Sequence, residues 1–169
     1  QISVPDERLN KLAELVKPGR IVPATCDIVD IAGLVKGASQ GEGLGNQFLG
    51  NIRETDAIIH VLRCFDNDNI VHVDGSVNPV RDKEIIDAEL QLKDLETVEN
   101  RIKRVEKQAR VGGDKQAKLE FDVLSAYRDA LLQGKSARTV TFETEDEIAT
   151  AKGLFLLTTK PVLYVCNVD

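Results

Sequence analysis

From Ala57 to Cys64 the chain reads Ala-Ile-Ile-His-Val-Leu-Arg-Cys, a nearly continuous apolar run. A strand wetted on one face alternates apolar with polar residues. An unbroken run suits a strand buried on both faces of a sheet, and sheets covered on both faces are built from parallel strands linked by helices. A second run, Val162-Leu163-Tyr164-Val165-Cys166, follows Lys160-Pro161. Helical spacing fills the stretches around both. The expected fold is therefore α/β, a doubly wound sheet. A length of 169 residues fits one domain with room for an excursion.

Residues 2–4 read as the end of a strand. Pro5 then opens a helix with Asp6 and Glu7 in its first turn and Leu9, Leu12, Leu15 and Val16 on one face. Lys17-Pro18-Gly19 stops it, and Arg20 to Ile31 returns as extended chain, with Thr25 to Asp30 a short strand. A helix from about Leu44 to Thr55 carries Phe48, Leu49, Ile52 and Thr55 on one side. From about Val80 charged residues crowd in, and Ala88, Leu92, Leu95, Val98, Ile102, Val105 and Ala109 follow steps of three and four, the seam of a coiled coil. Gly112-Gly113-Asp114 breaks it. Leu119, Val123, Tyr127 and Leu131 mark a second helix that Gly134 ends. The pair predicts an antiparallel helical hairpin projecting from the sheet. Glu143 to Leu157 reads as a further helix with Ile148, Ala151, Leu154 and Phe155 turned inward.

The formal charge of −6 argues against general affinity for nucleic acid. The hairpin departs from that balance. Between Arg101 and Lys118 stand Arg101, Lys103, Arg104, Lys107, Arg110, Lys115 and Lys118, against only Glu106 and Asp114. No apolar run is long enough to span a bilayer, and no leader pattern opens the chain, so no membrane partner is expected. Cys26, Cys64 and Cys166 lack Cys-x-x-Cys spacing and lie in apolar stretches, which predicts buried free thiols in a reducing cytoplasm. Methionine is absent, even at position 1, and the chain is expected to be a piece of a longer protein.

Asp30-Ile31-Ala32-Gly33 places a carboxylate and a glycine three residues apart at the end of a strand. That pair suits phosphate sensing. The carboxylate faces a metal-bound water, and the glycine lets a backbone N–H approach a terminal phosphate. The glycines that follow, Gly37, Gly41, Gly43 and Gly45, suit a mobile switch. A lone Asp-x-x-Gly is a weak signal. The whole string from Asp30 to Leu49, with Asn51-Ile52-Arg53-Glu54-Thr55-Asp56 and Val61-Leu62-Arg63-Cys64-Phe65, resembles the second switch region of the Obg-related P-loop NTPases, specifically their YchF branch, the Obg-like ATPases.

The resemblance covers nearly the whole chain and implies a P-loop NTPase domain with an inserted coiled-coil hairpin. Residues 1–79 and 136–169 would belong to the nucleotide-binding domain and 80–135 to the insertion. It implies an ATPase, with magnesium (Mg2+) as cofactor, Asp30 on the metal side and Gly33 at the terminal phosphate. Leu34 stands where most signalling GTPases carry a water-orienting glutamine, and by the resemblance His72 would be the residue proposed to replace it. Asn167 and Val168 resemble the start of the base-recognition motif, and Val168 departs from the lysine of GTP-specific relatives. The basic stretch from Arg101 to Lys118 would meet the ribosome or RNA. Two alternatives stay open: a GTPase, and a nucleotide-gated ribosome- or RNA-binding module whose hydrolysis is incidental. No phosphate-cradling Gly-x-x-x-x-Gly-Lys-[Ser/Thr] run is present, since Gly134-Lys135-Ser136 has Asp129 where the earlier glycine should be. The loop is expected upstream of Gln1, and this stretch alone is expected to be inactive.

Overall fold

The computed structural model describes residues 1–31, 45–72, 75–111 and 113–169; Gly33 and Leu34, with most of the glycine-rich run, lie outside the described residues. The chain divides into two compact units, Gln1–Ala32 and Gly33–Asp169.

In the first unit, β1 (Ile2–Ser3) pairs antiparallel with β2 (Thr25–Cys26), Ile2 opposite Cys26. Between them runs α1 (Glu7–Val16). Asp6 caps it, its carboxylate accepting from the Arg8 N–H at 2.9 Å. Lys17 ends it in the left-handed region, with φ of 43°. The strand expected over Thr25 to Asp30 is shorter than the sequence suggested. Only Thr25 and Cys26 find a partner, and Asp27 to Asp30 continue without ladder bonds among the described residues.

The second unit begins its described part with α2 (Gly45–Arg53), which buries Leu49 and Ile52. β3 (Ile58–Arg63) follows, then α3 (Pro79–Val111) and α4 (Lys115–Leu132) as the hairpin, α5 (Glu145–Lys152), and β4 (Val162–Asn167). β3 and β4 pair in parallel, from Ile58 opposite Val162 to Arg63 opposite Asn167. The hairpin and α5 thus form the crossover between two parallel strands, as an α/β sheet requires.

Two-sided burial of these strands is not found. Ile59, Val61 and Leu163 are 52%, 62% and 62% exposed. One face, with His60, Leu62 and Tyr164, lies under α3, whose Lys83 ammonium sits 5.3 Å from the centre of the Tyr164 ring. The other face has no cover among the described residues. An apolar run records the capacity for burial on both faces, not the presence of both covers. The thiols follow the same rule: Cys26 and Cys166 are exposed and Cys64 is half-buried, against the expectation of buried cysteines.

The hairpin core is made by Val98, Ile102 and Val105 of α3 against Val123, Leu124, Tyr127 and Leu131 of α4, closed by Ala137, Ala151 and Leu156. Tyr127 meets Phe142 edge-on at 5.2 Å. The turn uses Gly113 at φ of 60°, and Asp114 caps α4 by accepting from the N–H groups of Gln116 and Ala117. The coiled-coil seam holds only in the outer half of α3. Nearer its start the buried positions are Glu89, Leu90 and Asp94, while Ala88 and Leu92 face outward. The cause is a different neighbour. There α3 also packs on the 3-10 turn Leu157–Thr159, where Asp94 accepts from Leu157 N–H (2.7 Å), Thr158 N–H (2.7 Å) and the Thr158 hydroxyl (2.6 Å).

α5 opens with a reciprocal cap between Thr144 and Glu147 and stops at Lys152. It is shorter than the helix expected to Leu157. Phe155 turns outward, 65% exposed, at a φ of 50°, and Ile148 is also exposed. Leu156 and Leu157 take the inward places.

Candidate functional site

Because β3 and β4 are parallel, their carboxyl ends lie side by side, where open α/β sheets gather ligands. Asn167 ends β4 opposite Arg63, and its carbonyl accepts from the Cys64 N–H at 2.8 Å. The Asn167 and Val168 side chains are exposed.

The polar loop that leaves β3 is strapped by one guanidinium. Arg63 donates to the carbonyls of Phe65 (3.1 Å), Asn67 (3.1 Å) and Ile70 (2.9 Å) and lies 4.8 Å over the Phe65 ring. Asn67 folds the loop tip by accepting from the Asn69 N–H at 2.9 Å. Sequence reasoning used Arg63 only as one letter in a matching string. Its signal was a charged residue closing an apolar strand just before a loop full of unpaired carbonyls.

The strapped loop delivers His72 to α3. Its Nε2 lies 2.9 Å from Asp82 Oδ2, with the two side chains 17% and 20% exposed. Asp82 stands in the first turn of α3. Its other oxygen accepts from Arg81 Nε (3.2 Å) and Nη2 (3.0 Å), and Arg81 reaches back to the Ser76 carbonyl (2.6 Å) and hydroxyl (3.0 Å). The Asp82 partner is a residue that sequence reading did not single out.

His60, the other histidine, stacks at a tilt against Tyr164, with ring centres 5.7 Å apart. Burial pushes its pKa below the ordinary value; Asp87 opposes that shift and Lys83 adds to it. This is a packed imidazole, as a histidine within an apolar strand suggests.

Asp30 belongs to the first unit and is exposed, with no hydrogen bond or ion pair to another described residue. The candidate residues Gly33 and Leu34 lie outside the described residues. Among the described residues no cluster of three His, Cys, Asp or Glu side chains is arranged around a metal position, and no helix is long and apolar enough to cross a membrane.

A family model described as "50S ribosome-binding GTPase" matches residues 12–107. Over 168 residues the chain is 54% identical to the protein of Escherichia coli O157:H7 named ribosome-binding ATPase YchF, covering 99% of this chain and 46% of that protein. The protein of the same name from Bacillus subtilis (strain 168) is also 54% identical over 168 residues, of which the chain covers 45%. Among solved structures, the YchF GTPase of Schizosaccharomyces pombe matches with a TM-score of 0.78 at 40% identity, covering 99% of this chain and 45% of that one. The chain thus spans about half the length of the relatives it matches. Fold and matches together define a P-loop nucleoside-triphosphatase domain carrying a long helical hairpin. The chain belongs to the 50S ribosome-binding GTPase family and, within it, to the YchF branch.

Proposed function

We propose that this chain is part of an ATP-binding and ATP-hydrolysing switch of the YchF type that works in contact with the ribosome. The observation that carries the reading is the 54% identity, over 168 residues, with proteins named ribosome-binding ATPase. Residues 1–79 and 136–169 then serve one nucleotide-binding domain, and 80–135 form its inserted arm.

Each candidate residue has one role in this reading. Asn167 contacts the base at the carboxyl end of β4, and Val168, in the place of a lysine, disfavours guanine. The Gly33 N–H meets the terminal phosphate. Leu34 cannot orient water, so His72 does so in its place. Asp30 is the magnesium-side group: an exposed carboxylate without a partner among the described residues fits contact with the ion through water. When bound, Mg2+ supplies charge neutralisation on the phosphate oxygens.

The arm is the ribosome-facing part. At its tip Arg101 is paired with Glu120 and Arg110 with Glu106. Lys103, Arg104, Lys107, Lys115 and Lys118 are exposed and have no acidic partner among the described residues. Cations not neutralised within the fold are available for RNA phosphates. A ribosome partner carries a cytoplasmic location with it.

A GTPase is the second reading, favoured by the wording of the family model and of the solved relative, both of which are called GTPases. Calorimetric titration of ATP and GTP, with magnesium, into the full-length protein decides between them. ATP should bind the more tightly; tighter GTP binding would overturn the base-recognition argument from Val168. His72→Ala then separates an ATPase from a binding module. If hydrolysis disappears while ribosome association and biological output survive, turnover is incidental.

A further inference from the structure

We propose that the groove between α3, α4 and the turn after α5 takes one unstacked base of a single-stranded RNA, with Phe155 as the ring that stacks on it. The groove has a volume of about 290 Å³. That is just under the range of about 300–1,000 Å³ for sites that hold a drug-sized molecule, and it suits one flat group. Val98 and Leu156, both fully buried, give it an apolar floor. Arg101, Arg104 and the Asn100 amide line it from α3, and no carboxylate lines it among the described residues. An apolar floor, an amide that can both donate and accept, and guanidinium groups without a lining carboxylate match a base carried on a phosphate chain.

Phe155 is the second observation. Its neighbours Leu154 and Leu156 both line the groove, so its backbone passes along the rim. The residue is 65% exposed and is held at a φ of 50°. Any side chain in the left-handed region costs free energy, and here burial does not offset the cost. Strain of this kind collects at ligand clamps. Bases of every identity stack on aromatic rings. The charges favour RNA over protein as the occupant. Arg101 is paired with Glu120, which leaves the phosphate contact to Arg104 and Lys107. These two are three apart on α3, hence neighbours on one helix face, and both are exposed without an acidic partner among the described residues. Phosphates flanking the stacked base would follow that stripe toward the tip of the arm. That the RNA belongs to the ribosome rests on the reading above; the stacking site does not.

The probe is a short single-stranded RNA carrying a 2-aminopurine, whose fluorescence falls on stacking, titrated into the full-length protein. Binding should quench it, with an affinity that falls as salt rises. Phe155→Gly should weaken binding about tenfold, the loss of one stacked base, and remove most of the quenching while the salt slope stays the same. Glycine relieves the backbone at this position, so a folding defect does not account for the loss, and thermal unfolding checks that. Phe155→Trp should keep the quenching. Arg104→Gln should lower the slope of log affinity against log salt by about 0.7, the share of one phosphate on a single strand, and leave the quenching at saturation. Phe155→Gly should bind ribosomes more weakly as well. Parent-like affinity and quenching in Phe155→Gly overturn the proposal. So does weakened ribosome binding in that variant with RNA binding intact, which would make a protein surface the occupant. Quenching that depends on Phe155 in a full-length protein that does not bind ribosomes would instead overturn the ribosome reading and leave the stacking site standing.

Discussion

Asp94 is 1% exposed, and all that it holds lies more than sixty positions away in sequence. Burial pushes its pKa up, against the Thr158 and Leu157 hydrogen bonds that favour the ionised form. The Thr158 hydroxyl also accepts from the Ala137 N–H at 2.9 Å, so one carboxylate organises two segments. Asp94→Ala would leave two N–H groups and a hydroxyl buried without their acceptor. Denaturant unfolding should show a loss of about 3 kcal/mol or more; a loss under about 1 kcal/mol would mean that water replaces the carboxylate. His60 makes a pH prediction. Its folded pKa lies below the ordinary 6.5, so the unfolded chain binds the proton first. Its contribution to stability is complete above that value and is lost as pH falls below it. Unfolding curves of the chain and of His60→Leu should diverge on that side. Parallel curves would show that His60 is not the titrating group.

At the scale of elements, helices were the legible part of the sequence. α1, α3 and α4 fall where caps, glycines and spacing put them, because those signals are local. What failed depended on neighbours that spacing does not name. Leu92 faces out because the start of α3 follows the Leu157–Thr159 turn, and Phe155 faces out where α5 has already ended and the backbone takes a φ of 50°. Likewise Asn167, His72 and Asp30 were legible as letters of a motif. Asp82 and Arg63 were not, since their partners are fixed by the path of a loop. Phe155 gives a test of this account. An exposed phenylalanine at positive φ is strained and buries little in return, so Phe155→Gly should stabilise the chain by about 1 kcal/mol in thermal unfolding. Destabilisation would mean that its ring packs more than its exposure indicates. The arm offers another. On the proposed reading, Lys103→Glu with Lys107→Glu in the full-length protein should weaken ribosome binding and lower the slope of log affinity against log salt by about 2, provided that each lysine meets one phosphate. An unchanged slope would remove this face of α3 from the contact.

In the unit Gly33–Asp169, the segment Leu156–Lys160 is where the other elements meet. Leu156 and Leu157 are fully buried, Asp94 of α3 holds the turn, and Ala137 donates into it. From its far end the Lys160 ammonium donates to the carbonyls of Arg53 and Thr55, at and just beyond the end of α2. The same segment leads directly into β4 and Asn167. On the proposed reading, α2 follows the phosphate-sensing glycines and Asn167 reads the base, so both arrive at the root of the arm through one short stretch. Its two ties should be separable. Lys160→Met keeps the aliphatic stem and removes only the bonds to α2. Amides of Gly45–Arg53 should then exchange with deuterium about tenfold faster, the effect of losing charge-assisted hydrogen bonds, while Val123 and Leu124 in α4 keep their protection. Asp94→Asn should do the converse, loosening the turn and the root of α3 before α2. If either substitution instead speeds exchange equally in α2 and α4, the segment is one rigid plug in a cooperative core, and a change at α2 has no separate route to the arm.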